Sequence, residues 1–365
     1  MSEPTIWPLE DHTKAKHEIL RNYLAAWFPI LSRYSQRIVY IDGFAGPGVY
    51  SGGEPGSPVL AIKTAYEHLL KDRFKEIVFF FIEKREDRAV SLKEALKNNF
   101  PDLPNDQIKY SVVSGEFETT VSSLLESLEK SGTNLAPTFA FIDPFGYTGF
   151  SMDLLEKIMS YPKCEIFITF MTGFIRRFLD NEKEDALTKL FRTDEWKKIR
   201  EVSGLRDQPL LDLYIKQLKH CCDVKYVNSF KMINKFNQPL YHLVFCTNSL
   251  KGLEVMKNAM WRVDRTGDYK FSDRWDEKQT YLFDFHDEVY WIPKAAALIG
   301  SKFKGQRVSV KDVSDYIIGE TPFLFKKSIL QYVEDNYPKA ISEVVVPNRK
   351  RKKRSFPDDC IIVFN

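Results

Sequence analysis

Apolar positions along this chain follow two rhythms. Up to about position 170, stretches with apolar residues three and four apart alternate with short runs that are apolar at nearly every position. The first stretch, 13–28, sets Ile19, Leu20, Tyr23, Leu24 and Trp27 at helical spacing and is followed by Pro29. The unbroken runs 37–41, 77–82, 108–113, 138–142 and 165–170 read as strands, with helices expected at 58–70, 85–100, 117–129 and 152–159. Strands without polar alternation are buried on both faces. Their regular exchange with helices predicts an α/β fold, a parallel sheet with helices on both sides. Ligands of such sheets sit beyond the carboxyl ends of the strands. Those ends carry Asp42, Glu83, Ser114 to Glu116, and Asp143.

Past the fifth strand the rhythm changes. The segment 173–220 is charged and helical, an insertion into a first domain that runs from 1 to about 265. Two runs, 224–233 and 240–247, flank the turn Asn234-Lys235-Phe236-Asn237-Gln238-Pro239 and predict an antiparallel hairpin closing the sheet edge. A helix is expected at 252–263, then a polar, aromatic linker over 266–290. The remainder, 291–365, predicts helices at 291–299 and 310–319. Thr321-Pro322 reads as an N-cap and first-turn proline, opening a third helix that reaches about Asn336. Strands at 341–346 and 360–364 complete three helices and a terminal hairpin, the pattern of a winged helix. Arg349, Lys350, Arg351, Lys352, Lys353 and Arg354 fall at the hairpin tip.

Composition narrows this picture in three ways. With 44% hydrophobic and 14% aromatic residues, the 365-residue chain has ample core material, which excludes general disorder. Lys and Arg total 53 against 50 Asp and Glu, so only local clusters, not global charge, can attract nucleic acid. The five cysteines make no C-x-x-C pair and the histidines no H-x-x-x-H pair, so neither a metal site nor a disulfide framework is expected. The N-terminus has no basic-then-apolar signal pattern, and no apolar run approaches the ~18 residues of a membrane span. The expectation is a soluble, cytoplasmic protein.

Candidate chemistry sits at the strand ends. Asp42-Gly43-Phe44-Ala45-Gly46-Pro47-Gly48 follows the first strand and precedes a helix, where glycines let the backbone approach a ligand. It is neither G-x-G-x-x-G nor a Gly-Lys-Ser/Thr phosphate loop, so it suits a ligand bearing a carboxylate and an amine. Glu83 can accept both hydroxyls of a ribose. Asp143-Pro144-Phe145-Gly146 ends the fourth strand. Its carboxylate and the Pro144 carbonyl can accept hydrogen bonds from an exocyclic amine, and Phe145 can stack on the ring that carries it. Positioning would then supply much of the rate.

Taken together, Asp42 to Gly48, Glu83 and Asp143 to Gly146 resemble motifs I, II and IV of class I methyltransferases. The four residues Asp-Pro-Phe-Gly are similar to those of tRNA guanine-N2 dimethyltransferases. Over nearly its full length the chain resembles the three-Cys-motif partner (TcmP) family, through K-A-K-H-E-I-L at 14–20, D-G-F-A-G-P-G, F-I-D-P-F-G, and E-T-P-F-L at 320–324. This resemblance implies a Rossmann-like methyltransferase domain using S-adenosyl-L-methionine, a C-terminal winged helix, and a bacterial partner protein bearing the three-cysteine motif. It implies cofactor contacts from Asp42, Gly43, Phe44, Ala45, Gly46, Gly48, Glu83, Ser114, Gly115 and Glu116, and catalysis at Asp143, Pro144 and Phe145. Lys14, Lys16 and His17 on the first helix are placed to close over the cofactor or to reach phosphate. Lys326, Lys327 and the cations 349–354 are candidate phosphate contacts. Two functions remain in competition: a methyltransferase acting on nucleic acid, RNA favoured, and a weakly catalytic scaffold that docks nucleic acid or its partner.

Overall fold

The computed structural model describes residues 4–179, 184–264, 268–274, 288–347 and 350–365. The chain forms two compact units, Met1–Val263 with Lys270–Asp276, and Asp264–Tyr269 with Glu277–Asn365. In the first unit the chain runs α1 (Asp11–Ser32), β1 (Arg37–Asp42), α2 (Ser57–Tyr66), β2 (Glu76–Glu83), α3 (Glu86–Asn99) and β3 (Ile108–Ser114). It continues through α4 (Phe117–Lys130), β4 (Thr138–Ile142), α5 (Met152–Ser160), β5 (Glu165–Phe170) and the inserted helices α6 (Thr172–Phe178), α7 (Glu184–Phe191) and α8 (Asp207–Cys221). The hairpin β6 (Tyr226–Ile233) and β7 (Pro239–Thr247), helix α9 (Leu250–Val263) and β8 (Lys270–Ser272) complete it.

The eight strands lie in the order β3-β2-β1-β4-β5-β7-β6-β8. β7 runs antiparallel to both of its neighbours. This is the Rossmann-like sheet expected from the sequence. One stretch departs from expectation: residues 270–272 do not simply link domains but return to the sheet, where β8 pairs parallel with β6 at the outer edge.

The apolar strands hide a period of two. Tyr40, Phe79, Phe81, Phe139, Phe167 and Phe245 form one set of ring contacts that also takes in Tyr23, Trp27 and Phe28 of α1. Ile41, Ile82, Ala140, Ile142, Ile166, Ile168 and Val244 form the other face, against α4, α5 and the inserted helices. Successive side chains point to opposite faces, so one layer is aromatic and the other aliphatic. Each large ring removed from water contributes roughly 2 to 3 kcal/mol, which makes α1 the principal anchor of the aromatic layer.

Pro29 was expected to end the first helix, yet α1 continues through it to Ser32. Proline lacks the N–H that would bond the carbonyl four residues back. That carbonyl, of Ala25, is instead bonded by the His68 ring nitrogen at 2.8 Å, so the helix passes through without an orphaned acceptor. At the other edge of the sheet, the buried Glu165 accepts from the Tyr23 hydroxyl at 2.5 Å and the Thr247 hydroxyl at 2.7 Å, tying α1, β5 and β7 together.

The second unit contains α10 (Glu288–Lys302), β9 (Arg307–Ser309), α11 (Val310–Glu320), α12 (Lys327–Asn336), β10 (Ile341–Val345) and β11 (Ile361–Phe364). Its three strands pair in the order β10-β11-β9. Ser309 and Asp312 form a capping box at the start of α11. Thr321 does not cap the third helix as expected. Its hydroxyl donates back to the Ile317 carbonyl at 2.7 Å and accepts from the Phe323 N–H at 3.2 Å. Phe323 and Leu324 are buried by the resulting turn, and α12 begins only at Lys327.

Candidate active site

Strand order reverses at β1 and β4, and a cleft of about 180 Å³ opens beyond their carboxyl ends. The loop after β1 curls back over β2: the Gly46 N–H donates to Glu83 Oε2 at 2.9 Å, and the Ala45 N–H to the Ile82 carbonyl at 2.9 Å. Glu83 Oε1 accepts from the Arg85 N–H at 2.8 Å. Glu83 therefore holds the glycine loop to the start of α3, and each oxygen retains a second lone pair for a ligand hydroxyl.

Phe44, Ala45, Gly46 and Gly48 line the cleft, together with Asp143, Pro144 and Phe145 from the end of β4. Gly46 sits at φ +65°, and a Cβ there would stand 3.7 Å from the Trp7 ring, in van der Waals contact with it. Asp42 is fully buried beneath the loop, with the Phe44 N–H donating to its Oδ1 at 3.3 Å. Burial lifts its carboxyl to about 7, with nearby Asp143 adding to the rise and a hydrogen bond from Ser57 opposing it. It shapes the loop and does not line the cleft. Gly43 packs against the Phe117 ring. Ser114, Gly115 and Glu116 gather beside Glu83, where the Gly115 N–H donates to the Glu83 carbonyl at 3.0 Å and Glu116 pairs with Lys84 at 2.7 Å.

Phe145 stands 66% exposed, free of the core and available to stack. The edge of Trp7 meets it at 5.3 Å, and the Arg88 guanidinium lies 4.7 Å from the Trp7 ring. Trp7 arrives on segment 4–10, which is pinned by the Ser51 N–H on the Trp7 carbonyl at 3.0 Å and by Arg88 on the Pro4 carbonyl at 3.1 Å.

Lys16 supplies the main polar contact at the cleft. Only 5% exposed, it reaches from α1 to donate to Asp143 Oδ2, and its ammonium lies 5.5 Å from the centre of the Tyr241 ring. Thr169, at the end of β5, also lines the cleft, and its buried hydroxyl has no hydrogen-bond partner among the described residues. The sequence set Lys16 with Lys14 and His17 as a residue to close over the cofactor or reach phosphate, without pairing it with Asp143, and it did not find Trp7, Thr169 or Tyr241. A signal for Lys16 was available: positions 16, 20, 23 and 27 form one helical stripe, otherwise filled by Leu20, Tyr23 and Trp27.

The outer candidates need correction. His17 is 6% exposed, packed near Tyr50 with rings 5.8 Å apart. Burial, then the adjacent Lys16, lowers it to about 3, so it is a neutral interior ring and not a cation for phosphate. Lys14 pairs with Asp11 at 2.9 Å near the surface. In the second unit, Lys326 pairs with Glu288 at 2.8 Å and Lys327 with Asp358 at 2.9 Å. Arg351 forks onto Glu334 at 2.8 and 2.7 Å, and Arg354 meets Asp335 at 2.9 Å. Arg349 lies outside the described residues. Lys350, Lys352 and Lys353 are exposed and make no ion pair among the described residues.

A larger cavity, about 650 Å³, opens at the opposite edge of the sheet around Tyr23, Trp27 and Glu165. None of the sequence-predicted residues reaches it. The smaller cleft has the convergent polar groups, and it lies at the end of the sheet where parallel strands present ligands.

No protein-family model matches the chain, and no curated protein matches it. Solved structures are similar to the chain only at a distance. Trm1 from Pyrococcus horikoshii, in complex with S-adenosyl-L-methionine, is 12% identical over 67% of this chain and 60% of its own, with a TM-score of 0.37. TYW2 from M. jannaschii, in complex with AdoMet, is 14% identical over 62% of this chain and 72% of its own, with a TM-score of 0.29. Spermidine synthase from Thermotoga maritima is 11% identical over 68% of this chain and 66% of its own, with a TM-score of 0.36. Likenesses this distant say nothing of activity. The chain's own strand order, reversing between β1 and β4 and with an antiparallel β7, is that of a Rossmann-like sheet.

Proposed function

We propose that this chain is an S-adenosyl-L-methionine-dependent methyltransferase acting on nucleic acid, RNA favoured, together with a three-Cys-motif partner protein. The observation that supports it best is the placement of the glycine loop and Asp143-Pro144-Phe145 along one cleft at the carboxyl edge, with Glu83 buried beneath the loop and bonded to it, and a Thr169 hydroxyl lining the cleft without a partner among the described residues. The cofactor's bound form supplies an electrophilic methyl on a sulfonium. Glu83 would accept from the ribose hydroxyls through its remaining lone pairs, the backbone around Gly46 would receive the amino-acid end, and Phe145 offers a stacking face to the acceptor. The second unit, three helices with a strand pair joined by a basic loop, is read as a winged helix that supplies phosphate contacts.

Calorimetric titration with S-adenosyl-L-methionine and S-adenosylhomocysteine tests the cofactor directly. Micromolar binding is expected, weakened at least about tenfold by Glu83→Ala, since a lost charge-assisted hydrogen bond is worth about 1.5 to 3 kcal/mol. No heat at millimolar ligand would sink the reading. One observation favours a catalytically weak scaffold instead: both Glu83 oxygens already accept backbone N–H groups. Tight RNA binding indifferent to the cofactor, with no transfer, would decide for that alternative.

A further inference from the structure

We infer that the methyl acceptor is a hydroxyl oxygen, the ribose 2′-hydroxyl of RNA, and that Lys16 and Asp143 activate it as a pair. The inference rests on the methyltransferase reading above and replaces the base amine that Asp143-Pro144-Phe145-Gly146 had pointed to in the sequence.

The argument is a count of donors and lone pairs. Asp143 Oδ2 is taken by the Lys16 ammonium, and Oδ1 has no partner among the described residues. The group that enters this corner therefore meets an N–H donor beside a free carboxylate oxygen. An exocyclic base amine attacks through its single lone pair and presents two N–H donors. Its two N–H groups can be met by Asp143 Oδ1 and the Pro144 carbonyl, but with its only lone pair on the methyl it has none left to accept from Lys16, and an N–H turned towards the ammonium repels it. A hydroxyl matches all three demands. One lone pair attacks the methyl, the second accepts from Lys16, and the O–H donates to Asp143 Oδ1.

The surroundings favour the same ligand. Lys16 is buried on the helix stripe that otherwise packs the core, held by Asp143 and the Tyr241 ring face, which is a costly placement for a merely solvating cation. The orphaned Thr169 hydroxyl lines the same cleft and offers a further bond to a neighbouring sugar oxygen. In the step itself, the hydroxyl oxygen attacks the methyl carbon. The O–C bond forms as the S–C bond breaks, the bonding pair stays on sulfur, and the hydroxyl proton passes to Asp143 Oδ1 and then to solvent. Lys16 stabilises the negative charge that gathers on oxygen before the proton has fully left.

The test uses the full chain with tritiated-methyl S-adenosyl-L-methionine and matched pools of total RNA and total DNA. Labelled RNA is then digested with alkali, which needs a free 2′-hydroxyl to cleave the adjoining phosphodiester. Label in alkali-resistant dinucleotides, with none in DNA, is the expected result. Label in mononucleotides, label in DNA, or no label in RNA although the cofactor binds would each overturn the inference. This part needs no variant. Lys16→Met is expected to lower kcat about 100-fold or more, within the range of a lost acid–base or charge-stabilising group, while calorimetry shows the cofactor Kd unchanged within about threefold. Turnover by Lys16→Met at the wild-type rate would also overturn it. Absence of cofactor binding to the unmodified protein is a different outcome, one that sinks the methyltransferase reading itself.

Discussion

Asp42 shows how one side chain can serve a loop from beneath it, without lining the cleft. It is wholly buried, and burial raises its carboxyl to about 7. The folded protein therefore keeps a proton that the unfolded chain loses near pH 4. Stability from this group is fully present at or below that pH, falls as pH rises towards 7, and is level above it. Asp42→Asn, which fixes the neutral form, is expected to gain on the wild type between pH 5 and pH 8 by up to a few kcal/mol, since each pKa unit is worth about 1.4 kcal/mol. Urea midpoints of both proteins at three pH values measure this, and a difference that stays flat with pH would refute it. His17 carries the opposite sign. Its lowered value makes the fold resist a proton that the unfolded chain takes up below about 6.5, so its contribution is lost as pH falls from there towards 3. Neither residue's role was legible beforehand, because a motif position states which residue is present and not which way it faces.

At the scale of elements, most of the first unit was legible. Four nearly unbroken apolar runs read as strands covered on both faces, and the fifth, interrupted by Lys109 and Ser111, is the half-exposed edge strand β3. The Asn/Pro-bounded turn at 234–239 marked the hairpin that the structure contains. The misreadings share one cause: a local signal was overruled by burial or by a distant partner. Pro29 was tolerated because His68 took the freed carbonyl, and Thr321 gave up its cap because Phe323 and Leu324 had to be buried. β8, only three residues long in a polar stretch, has too little periodicity to be seen. The glycine loop allows a controlled comparison. Gly48 and Gly53 share φ +85°, but a Cβ at Gly48 would lie 2.8 Å from Leu92 Cδ1 on α3, whereas at Gly53 nothing lies within 4 Å. Gly53→Ala should cost about 1 kcal/mol, the left-handed backbone penalty alone. Gly48→Ala adds overpacking against α3 and should cost about 2 to 4 kcal/mol in all. Equal shifts in urea midpoint would show that the loop does not depend on this approach to α3.

Taken as a whole, the molecule carries a formal charge of only +3, so its field draws a polyanion weakly at a distance. On the proposed reading, affinity for RNA must then come from cations that are locally unneutralised. Sequence alone put eight of them in the second unit: Lys326, Lys327 and the six at 349–354. In the structure Lys326, Lys327, Arg351 and Arg354 each already face a carboxylate. A paired cation releases few counterions from RNA, because binding only exchanges one anion for another. Lys350, Lys352 and Lys353 are exposed without a pair among the described residues, so they should carry most of the salt dependence. Each phosphate neutralised on a single strand contributes about 0.7 to the slope of log affinity against log salt. Replacing all three lysines by alanine should therefore flatten that slope by about 2. Arg354→Ala should change it by well under 0.7, because the charge it removes is already matched by Asp335. Arg351→Ala should act through stability instead, leaving the Glu334 carboxylate without its fork and lowering the melting temperature of the second unit. Fluorescence anisotropy with labelled single-stranded RNA between 50 and 300 mM salt reads all of these as titration midpoints, roughly the range over which such slopes are resolved. A slope unchanged in the triple variant would remove the hairpin tip from the proposed RNA-binding surface and leave any RNA binding to the first unit.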